Sequence, residues 1–214
     1  MSELSRASGV PVATVKYYLR EGLVPPGAPS ARNQADYDDA HVHRLRLIRA
    51  LRGVGRMGIG RVRAVLEALD DEQLSLHDVL GVAHRALGPA PDRRVVTDEI
   101  ADACAEVDRF IVDLGWEVAS DAPARGVLAD ALVALRRLGR KCGAEVFEPY
   151  AEAAGRIAER ELSQASTGAA RADTGATRAD IVEWMVVGTV VFEAALTALR
   201  RLAHEHLSSA RFGS

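Results

Sequence analysis

Cysteine is scarce in this chain: Cys104 and Cys142 are the only two in 214 residues, and they do not form a CxxC pair. A structural zinc site normally needs four nitrogen or sulfur ligands at short, regular spacings, which two scattered cysteines do not supply. Both lie among apolar residues with helical periodicity, where cysteine behaves as a small hydrophobic side chain. We therefore expect neither a metal site nor any other cofactor.

Long hydrophobic runs are also missing. The uncharged apolar stretch at residues 184–192 is nine residues long and lies between Glu183 and Glu193, whereas a membrane-spanning helix needs roughly 20 apolar residues. Residues 2–9 alternate polar and apolar side chains, without the continuous apolar segment of a secretory signal. The sequence therefore predicts a cytoplasmic protein that does not interact with membranes.

The charged residues are divided unevenly along the chain. Residues 1–69 contain 11 Lys and Arg against 6 Asp and Glu, whereas residues 70–214 contain 16 against 24. Apolar residues make up 48% of the chain, which is typical of soluble globular proteins. A basic head followed by an acidic body indicates that only the head contacts a polyanion.

The pattern of the first 69 residues predicts a helix, a tight turn, a second helix, an extended arm and two further helices. Gly9 and Pro11 favour a turn that opens the second helix. Three prolines within residues 25–29 exclude a helix there, and apolar residues recur every three positions over residues 42–51. A helix-turn-helix requires this order, with the second helix placed in the major groove of DNA.

The second helix carries side chains that suit a nucleic-acid surface. Lys16 and Arg20 neutralise phosphates, and the hydroxyls of Thr14, Tyr17 and Tyr18 donate to phosphates or base edges. Adjacent helical residues point about 100° apart. We therefore expect one of the two tyrosines to pack in the core and the other to bind.

The order of motifs in residues 1–69 resembles the MerR-type transcription regulators. Residues 14–18 read Thr-Val-Lys-Tyr-Tyr and residues 22–25 read Gly-Leu-Val-Pro, in the places of the family's recognition helix and of the segment before its wing. Residues 45–51, followed by Gly55, match the family's next helix and turn. The resemblance covers about a third of the chain.

This resemblance implies antiparallel dimers on a pseudo-palindromic promoter. It also implies wings that grip the DNA backbone, and a twist of the duplex that realigns the promoter for RNA polymerase. The expected partners are therefore double-stranded promoter DNA, a second copy of the chain and, indirectly, RNA polymerase. Lys16 stands where the family has an arginine, while Tyr17 and Tyr18 occupy the places of its paired tyrosines, one of which contacts phosphate.

The wings depart from the family pattern. The usual Gly-Tyr-Arg is replaced by residues that begin at Asn33 and lead to Tyr37, so Arg32 is the expected substitute for the wing arginine. In the second wing Gly58 stands at the helix cap, which leaves Arg56 as the expected phosphate contact. The predicted DNA-binding residues are Thr14, Lys16, Tyr17, Tyr18, Arg20, Arg32, Asn33, Tyr37 and Arg56.

The predicted fold is mainly α, with a winged helix-turn-helix head at residues 1–69 and an all-helical bundle as the body. Residues 70–94 are expected to form a connecting helix and linker, and residues 95–214 an effector-binding and dimerising domain with a loop at 166–177. The closing helix is apolar nearly all round, so it must be covered, either within one domain or by a second subunit. Its tail is loosely similar to the dimerisation helix of TetR-type proteins.

The large aromatic residues of the body offer two interpretations. They either line a pocket between helices for an apolar small-molecule effector or simply fill the core. The candidate ligand-binding residues are Phe110, Trp116, Phe147, Tyr150, Trp184 and Phe192. The cysteine pattern of the family's metal-sensing branch is absent, so we do not expect metal sensing.

The sequence also bears on nucleotide binding and on catalysis. Residues 53–58 match G-x-G-x-x-G, but an arginine-rich helix precedes them and no βαβ unit surrounds them, so we expect these glycines to bring the second wing close to DNA. The residues form no recognisable catalytic set, so we do not expect an enzyme. An architectural or excisionase-like DNA-binding protein without an effector is the alternative to a regulator.

Overall fold

A computed structural model describes residues 1–31, 34–88, 97–170 and 178–212 of the chain. Within these residues the fold is mainly helical, with one two-stranded sheet, as the sequence predicts. The head elements are α1 Ser2–Ser8, α2 Val12–Arg20, β1 Ala28–Ala31, β2 Gln34–Asp36, α3 Asp39–Gly53 and α4 Ile59–Asp70. They are followed by α5 Leu76–Leu87, α6 Asp98–Asp113, α7 Pro123–Arg137, α8 Glu148–Ala170 and α9 Arg178–Phe212. None of the described helices is long and apolar enough to cross a bilayer.

The chain folds into two compact units. The first, unit one, contains Met1–Leu87 together with Gly175–Ser214, and the second, unit two, contains Gly88–Thr174. This division differs from the expected body of residues 95–214, because α9 belongs with the head. The connecting helix expected between residues 70 and 94 is α5, which also lies in unit one.

The core of unit one is built around α3 and α4. Along α3 the buried side chains Leu45, Ile48 and Leu51 recur every three residues, as the sequence pattern predicts. They share a single hydrophobic cluster with Val62 and Val65 of α4. Burial of this apolar surface, at about 25 cal/mol per Å², is what holds the short helices of the head together.

The first turns of α9 complete the same core. The helix packs against α3, α4 and α5, and Val186 and Val190 are fully buried there. Near this contact, partial burial lowers the pKa of His84 on α5, while the charge of Glu193 on α9 acts in the opposite direction. The closing helix is therefore covered within its own chain around Val186 and Val190.

Unit two is a helical bundle with a core of its own. Ala103 and Val107 of α6 pack with Leu132 of α7, and a 3₁₀ helix at Ala144–Phe147 leads into α8. Cys104 and Cys142 are partly buried against this core and are not joined in a disulfide. Their packing fits the interpretation of these cysteines as small hydrophobic side chains.

Two predicted boundaries in unit two need correction. The domain expected from residue 95 has its first helix, α6, beginning at Asp98, where the Thr97 side chain accepts a hydrogen bond from the Ile100 amide. The loop expected at 166–177 is helical up to Ala170, and residues 171–177 lie outside the described part of the chain. Alanines favour the helix there, and they outweigh the neighbouring Ser, Thr and Gly.

The turn between α1 and α2 is held by two serines and a glycine. Ser5 Oγ donates to the carbonyl oxygen of Val10 at 2.6 Å, and Ser8 Oγ donates to that of Leu4 at 2.7 Å. Gly9 has a φ of 68°, in the left-handed region that side chains disfavour. The angle between the two helices therefore depends on a glycine at this position.

Replacing Gly9 with alanine is expected to lower the free energy of unfolding by about 2 kcal/mol. The new Cβ would adopt a disfavoured φ and lie 2.6 Å from Arg49 Nη1. Urea unfolding followed by circular dichroism measures the loss. The matched control is Gly53→Ala in the last turn of α3, where an added Cβ meets nothing within 4 Å. Equal losses in the two variants would contradict this role of Gly9.

Candidate nucleic-acid interface and effector groove

Helix α2 presents one face to the core and the opposite face to solvent. Val15 is fully buried in the core of unit one. Lys16 and Arg20 are exposed, and Tyr17 beside them is half-buried. Residues 16, 17 and 20 fall on one side of a helix because they are spaced three and four apart. The exposed side of α2 is therefore cationic and aromatic; we call these three residues the α2 face.

The two adjacent tyrosines have different surroundings. Tyr18 is only 6% exposed and belongs to the core of unit one, whereas Tyr17 remains partly accessible. The guanidinium of Arg20 lies 5.7 Å from the centre of the Tyr17 ring, a cation–π distance. Tyr18 was predicted as a DNA contact and is corrected to a core residue, because its ring fills the interior. Thr14 is half-buried at the edge of the α2 face.

Two arginines of α3 hold the helix-turn-helix in place. Arg46 Nη2 donates to the carbonyl oxygen of Ala7 at 2.9 Å, and Arg49 Nη1 donates to that of Gly9 at 3.3 Å. These carbonyl groups lie at the end of α1 and in the turn, where a helix leaves its acceptors unpaired. The two arginines therefore position the turn rather than project toward a ligand.

A second pair of arginines fixes the end of α2. Arg44 Nε donates to the carbonyl oxygen of Leu23 at 3.0 Å, and the same guanidinium makes two hydrogen bonds of 2.7 and 2.6 Å to Asp70. From α4, Arg63 Nη2 donates to the backbone carbonyl of Glu21 at 3.0 Å and to its carboxylate at 3.1 Å. Bidentate arginine contacts restrict geometry strongly, so these bonds from α3 and α4 fix the orientation of the α2 face.

The first wing is the antiparallel pair β1 and β2, in which Ala28 lies opposite Asp36. Arg32 and Asn33, the predicted wing contacts, lie outside the described residues. Tyr37 follows β2 and packs its ring edge-on to His41, with 5.2 Å between ring centroids. It anchors the base of the wing and remains partly accessible.

Helix α3 begins next to the wing with a capping box. The Asp38 side chain accepts a hydrogen bond from the His41 amide at 3.2 Å, and the His41 ring bonds back to the Asp38 backbone. The side-chain hydrogen bond with His41 lowers the pKa of Asp38. The cap therefore keeps its charged form at neutral pH and fixes where the wing ends.

The second wing is the turn between α3 and α4. Arg56 has a φ of 51°, the only positive value at a non-glycine residue in the described ranges, and it is exposed. Met57 beside it is buried and anchors the turn. A Cβ on Gly55 would lie 2.6 Å from Val190 Cγ1, whereas one on Gly58 would meet open space. A side chain at Gly55 is thus excluded both by Val190 of α9 and by the Leu51 carbonyl oxygen, which lies at the same distance of 2.6 Å; the sequence pattern did not indicate this contact with α9.

The comparisons with known proteins agree with this geometry. A family model described as MerR HTH family regulatory protein matches residues 1–69. Over its whole length the chain is similar to the crystal structure of SCO5550 from Streptomyces coelicolor A3(2), which is described as a transcriptional regulator. The two are 40% identical with a TM-score of 0.74, and the match covers 100% of this chain and 97% of that chain. This chain belongs to the MerR family.

Curated relatives match part of the chain. The HTH-type transcriptional regulator HmrR from Sinorhizobium medicae (strain WSM419) is 32% identical over 83 residues, which cover 39% of this chain and 56% of that protein. HmrR from Rhizobium leguminosarum bv. viciae is 28% identical over 116 residues, which cover 51% of this chain and 88% of that protein. The matched part thus spans about half the length of the first relative.

In this MerR head the cations divide into two groups. Arg44, Arg46, Arg49 and Arg63 bind backbone carbonyls of the head. By contrast, Lys16, Arg52 and Arg56 are exposed and form no ion pair with another described residue. Arg52, in the last turn of α3, was not predicted as a contact; that it has no ion-pair partner in the described part of the chain is visible only in the structure. This second group, with Arg20 of the α2 face, is available to phosphates.

The MerR chain also has two adjoining surface grooves in unit two. The larger, about 480 Å³, is lined by apolar side chains including Leu114 and Trp116 and by the carboxylates of Glu148 and Glu152. The smaller, about 250 Å³, is lined in part by Phe110 and shares Leu114 and Glu148 with the first. Two of the predicted ligand-binding aromatics therefore reach a concave surface.

The other four predicted ligand-binding aromatics are placed elsewhere. Phe147 packs against the core of unit two, and Tyr150 is exposed and lines neither groove. Trp184 and Phe192 belong to α9 in unit one and are exposed there. The six aromatics thus do not form one pocket, because the chain divides between α8 and α9. In the described residues no group of three or more His, Cys, Asp or Glu is arranged to hold a metal ion.

Proposed function

We propose that this MerR-family chain is a transcription regulator in which the α2 face enters the major groove of promoter DNA. The observation that carries the proposal is the division of the head cations described above. The arginines that bind backbone carbonyls fix the orientation of α2. The exposed cations remain free to neutralise phosphates. A recognition helix must be held rigidly while its outer face stays accessible, and both conditions are met here.

The regulator is proposed to bind a pseudo-palindromic site as a dimer in the cytoplasm and to act on RNA polymerase through the shape of the DNA. The first wing, with Arg32, Asn33 and Tyr37, and the second wing, with Arg56, are proposed to contact the backbone on either side of α2. Phosphate contacts of this kind fix the register of a protein on the duplex, while base edges supply specificity.

A binding assay on the upstream region of the chain's own gene tests this proposal. We expect DNase footprinting of the full chain to protect an inverted repeat, with affinity that falls steeply between 50 and 200 mM salt because bound phosphates release counterions. If the protein instead protects DNA regardless of its sequence and bends unrelated duplexes, the result would support the architectural alternative. No protection of any promoter at low salt would contradict both.

We further propose that the adjoining grooves of unit two bind a small apolar effector that carries positive charge. Leu114 and Trp116 provide apolar contact, and Trp116 is 41% exposed. Glu145 and Glu148 supply negative charge, and a hydrogen bond from the Gly143 amide lowers the pKa of Glu145. An aromatic face beside carboxylates favours cations through cation–π and charge attraction.

Replacing Trp116 with alanine is expected to weaken binding of a cationic xanthene dye, rhodamine 6G, by about tenfold, since one such contact contributes roughly 1–2 kcal/mol. Fluorescence anisotropy of the dye with full-length protein measures this, and Tyr150→Ala is the matched control because Tyr150 lines neither groove. Anionic fluorescein should bind more weakly than the cation. Equal binding of both dyes, or equal loss in both variants, would contradict the site.

A further inference from the structure

The turn that forms the second wing holds one residue in a disfavoured backbone conformation. On one side the Gly55 amide donates to the carbonyl oxygen of Ala50 at 3.2 Å. On the other side the Met57 amide donates to that of Leu51 at 3.1 Å. Between these two bonds Arg56 has a φ of 51°, which residues with a side chain rarely adopt. Such a conformation persists only where the surrounding structure fixes the neighbouring residues.

The closing helix α9 lies against the first half of this turn. A Cβ built on Gly55 would lie 2.6 Å from Val190 Cγ1, and the other two nearest atoms belong to the Leu51 backbone. Val190 is 1% exposed, so the packing around it fixes its side chain. Because Gly55 has no side chain, α9 approaches the backbone of the turn closely. The position of Gly55 therefore depends on α9 as well as on α3.

The second half of the turn is fixed by the core of unit one. Met57 is 3% exposed and shares one hydrophobic cluster with Val190. The residues on both sides of Arg56 are thus held, which keeps its φ positive. A change to a negative φ would turn the Cα–Cβ bond of residue 56 in another direction. The direction of the Arg56 side chain therefore depends on the two contacts that hold the turn.

The side chain of Arg56 is open to a ligand. It is exposed and forms no ion pair with another described residue. An added Cβ on Gly58 or Gly60 would meet nothing within 4 Å, so a large partner can approach the backbone closely here. Gly58 also begins α4 without a side-chain cap, and uncapped amides at the start of a helix favour phosphate. These features agree with a phosphate of DNA as the ligand of Arg56.

We propose that Val190 is a positioning residue for the second wing. Through its contact with Gly55, helix α9 keeps Arg56 in the conformation that directs its guanidinium to the DNA backbone. The phosphate contact rests on the proposed function, whereas the effect of α9 on the turn is a property of the protein without DNA. Helix α9 thus contributes to DNA binding beyond completing the core, and its displacement from the head would loosen the second wing.

Hydrogen exchange of the full chain without DNA tests the effect of α9 on the turn. Val190→Ala removes the atom that lies against Gly55. The matched control is Val186→Ala, which removes the same two methyl groups from a fully buried site one turn earlier on α9. We expect the amides of Gly55 and Met57 to exchange roughly tenfold faster in Val190→Ala than in the control. The Ile48 amide, in the middle of α3, reports global unfolding and corrects for any difference in stability.

Circular dichroism verifies that both variants fold. If either is partly unfolded, about 1 M trimethylamine N-oxide favours the folded state, and the comparison is made in its presence. Equal exchange of Gly55 and Met57 in the two variants would overturn the proposal, because the turn would then keep its conformation without Val190.

A double-mutant cycle with the promoter duplex tests whether Val190 acts through Arg56. We expect Arg56→Gln and Val190→Ala each to weaken binding roughly tenfold, and the double variant to bind no more weakly than Arg56→Gln alone. Val190→Ala should also make the dependence of log affinity on log salt shallower by about one counterion, because Arg56 no longer reaches its phosphate. Val186→Ala should bind within about twofold of the wild type, because it leaves the turn in place.

The two experiments distinguish the positioning role from the proposed function. Losses that multiply to roughly 100-fold in the double variant would overturn the positioning role, because Val190 would then act independently of Arg56. Faster exchange in the turn, with binding unchanged in both single variants, would uphold the effect of α9 on the turn and count against the proposed phosphate contact.

Discussion

Replacing Val190 with aspartate is expected to unfold the DNA-binding head, although residue 190 lies about 120 residues beyond the end of the head at residue 69. Val190 is 1% exposed and shares its cluster with the core of α3 and α4. A carboxylate there would be buried without a partner, which costs at least about 3 kcal/mol, a large part of the stability of a small domain. Urea unfolding, followed by Trp184 fluorescence in a Trp116→Phe background, measures the loss in unit one.

Thr197→Asp is the control for this prediction. It introduces the same charge two turns later on the same side of α9, where Thr197 is exposed. We expect its cost to stay within about 0.5 kcal/mol, as for other surface changes. If Val190→Asp were as stable as this control, α9 would not be part of the head, and the division of the chain into two units would need revision.

The dependence of the head on α9 was not predictable from sequence. The pattern of residues 184–199 indicates only that the helix must be covered, because apolar side chains occur nearly all round it. A sequence can assign a packing partner to one face of a helix only when that face differs in composition from the others. In this segment of α9 more than one face is apolar. The local elements of the head were predictable because Gly9, Pro11 and the spacing of Leu45, Ile48 and Leu51 act over a few residues.

The α2 face was predicted in part. The spacing of Lys16, Tyr17 and Arg20 places them together on any helix, and the sequence indicated that one tyrosine packs. Which tyrosine packs depends on how α2 is rotated against α3. The roles of Arg46 and Arg49 could not be predicted, because their acceptors are backbone carbonyls 39 and 40 residues away. The sequence does not indicate which distant carbonyl group a long, flexible arginine side chain will contact.

Reversing the charge of Lys16 is expected to weaken binding of the promoter duplex by roughly 30- to 150-fold, or about 2–3 kcal/mol. The change removes a phosphate contact and places a carboxylate against the polyanion. Because Lys16 is exposed and forms no ion pair with another described residue, Lys16→Glu should leave the free energy of unfolding within about 0.5 kcal/mol of the wild type. Fluorescence anisotropy with the footprinted duplex at 50–200 mM salt measures the affinity.

Lys141 provides a matched control, since it is the chain's only other lysine, is exposed, and lies in unit two. Lys141→Glu changes the net charge by the same amount. Any weakening of DNA binding that is common to both variants therefore reports the overall electrostatic field of the protein rather than a direct contact. We expect only Lys16→Glu to make the dependence of log affinity on log salt shallower, by about one counterion. Equal slopes for the two variants would mean that α2 does not lie against phosphates, and the DNA-binding surface would then have to be sought around Arg52 and Arg56.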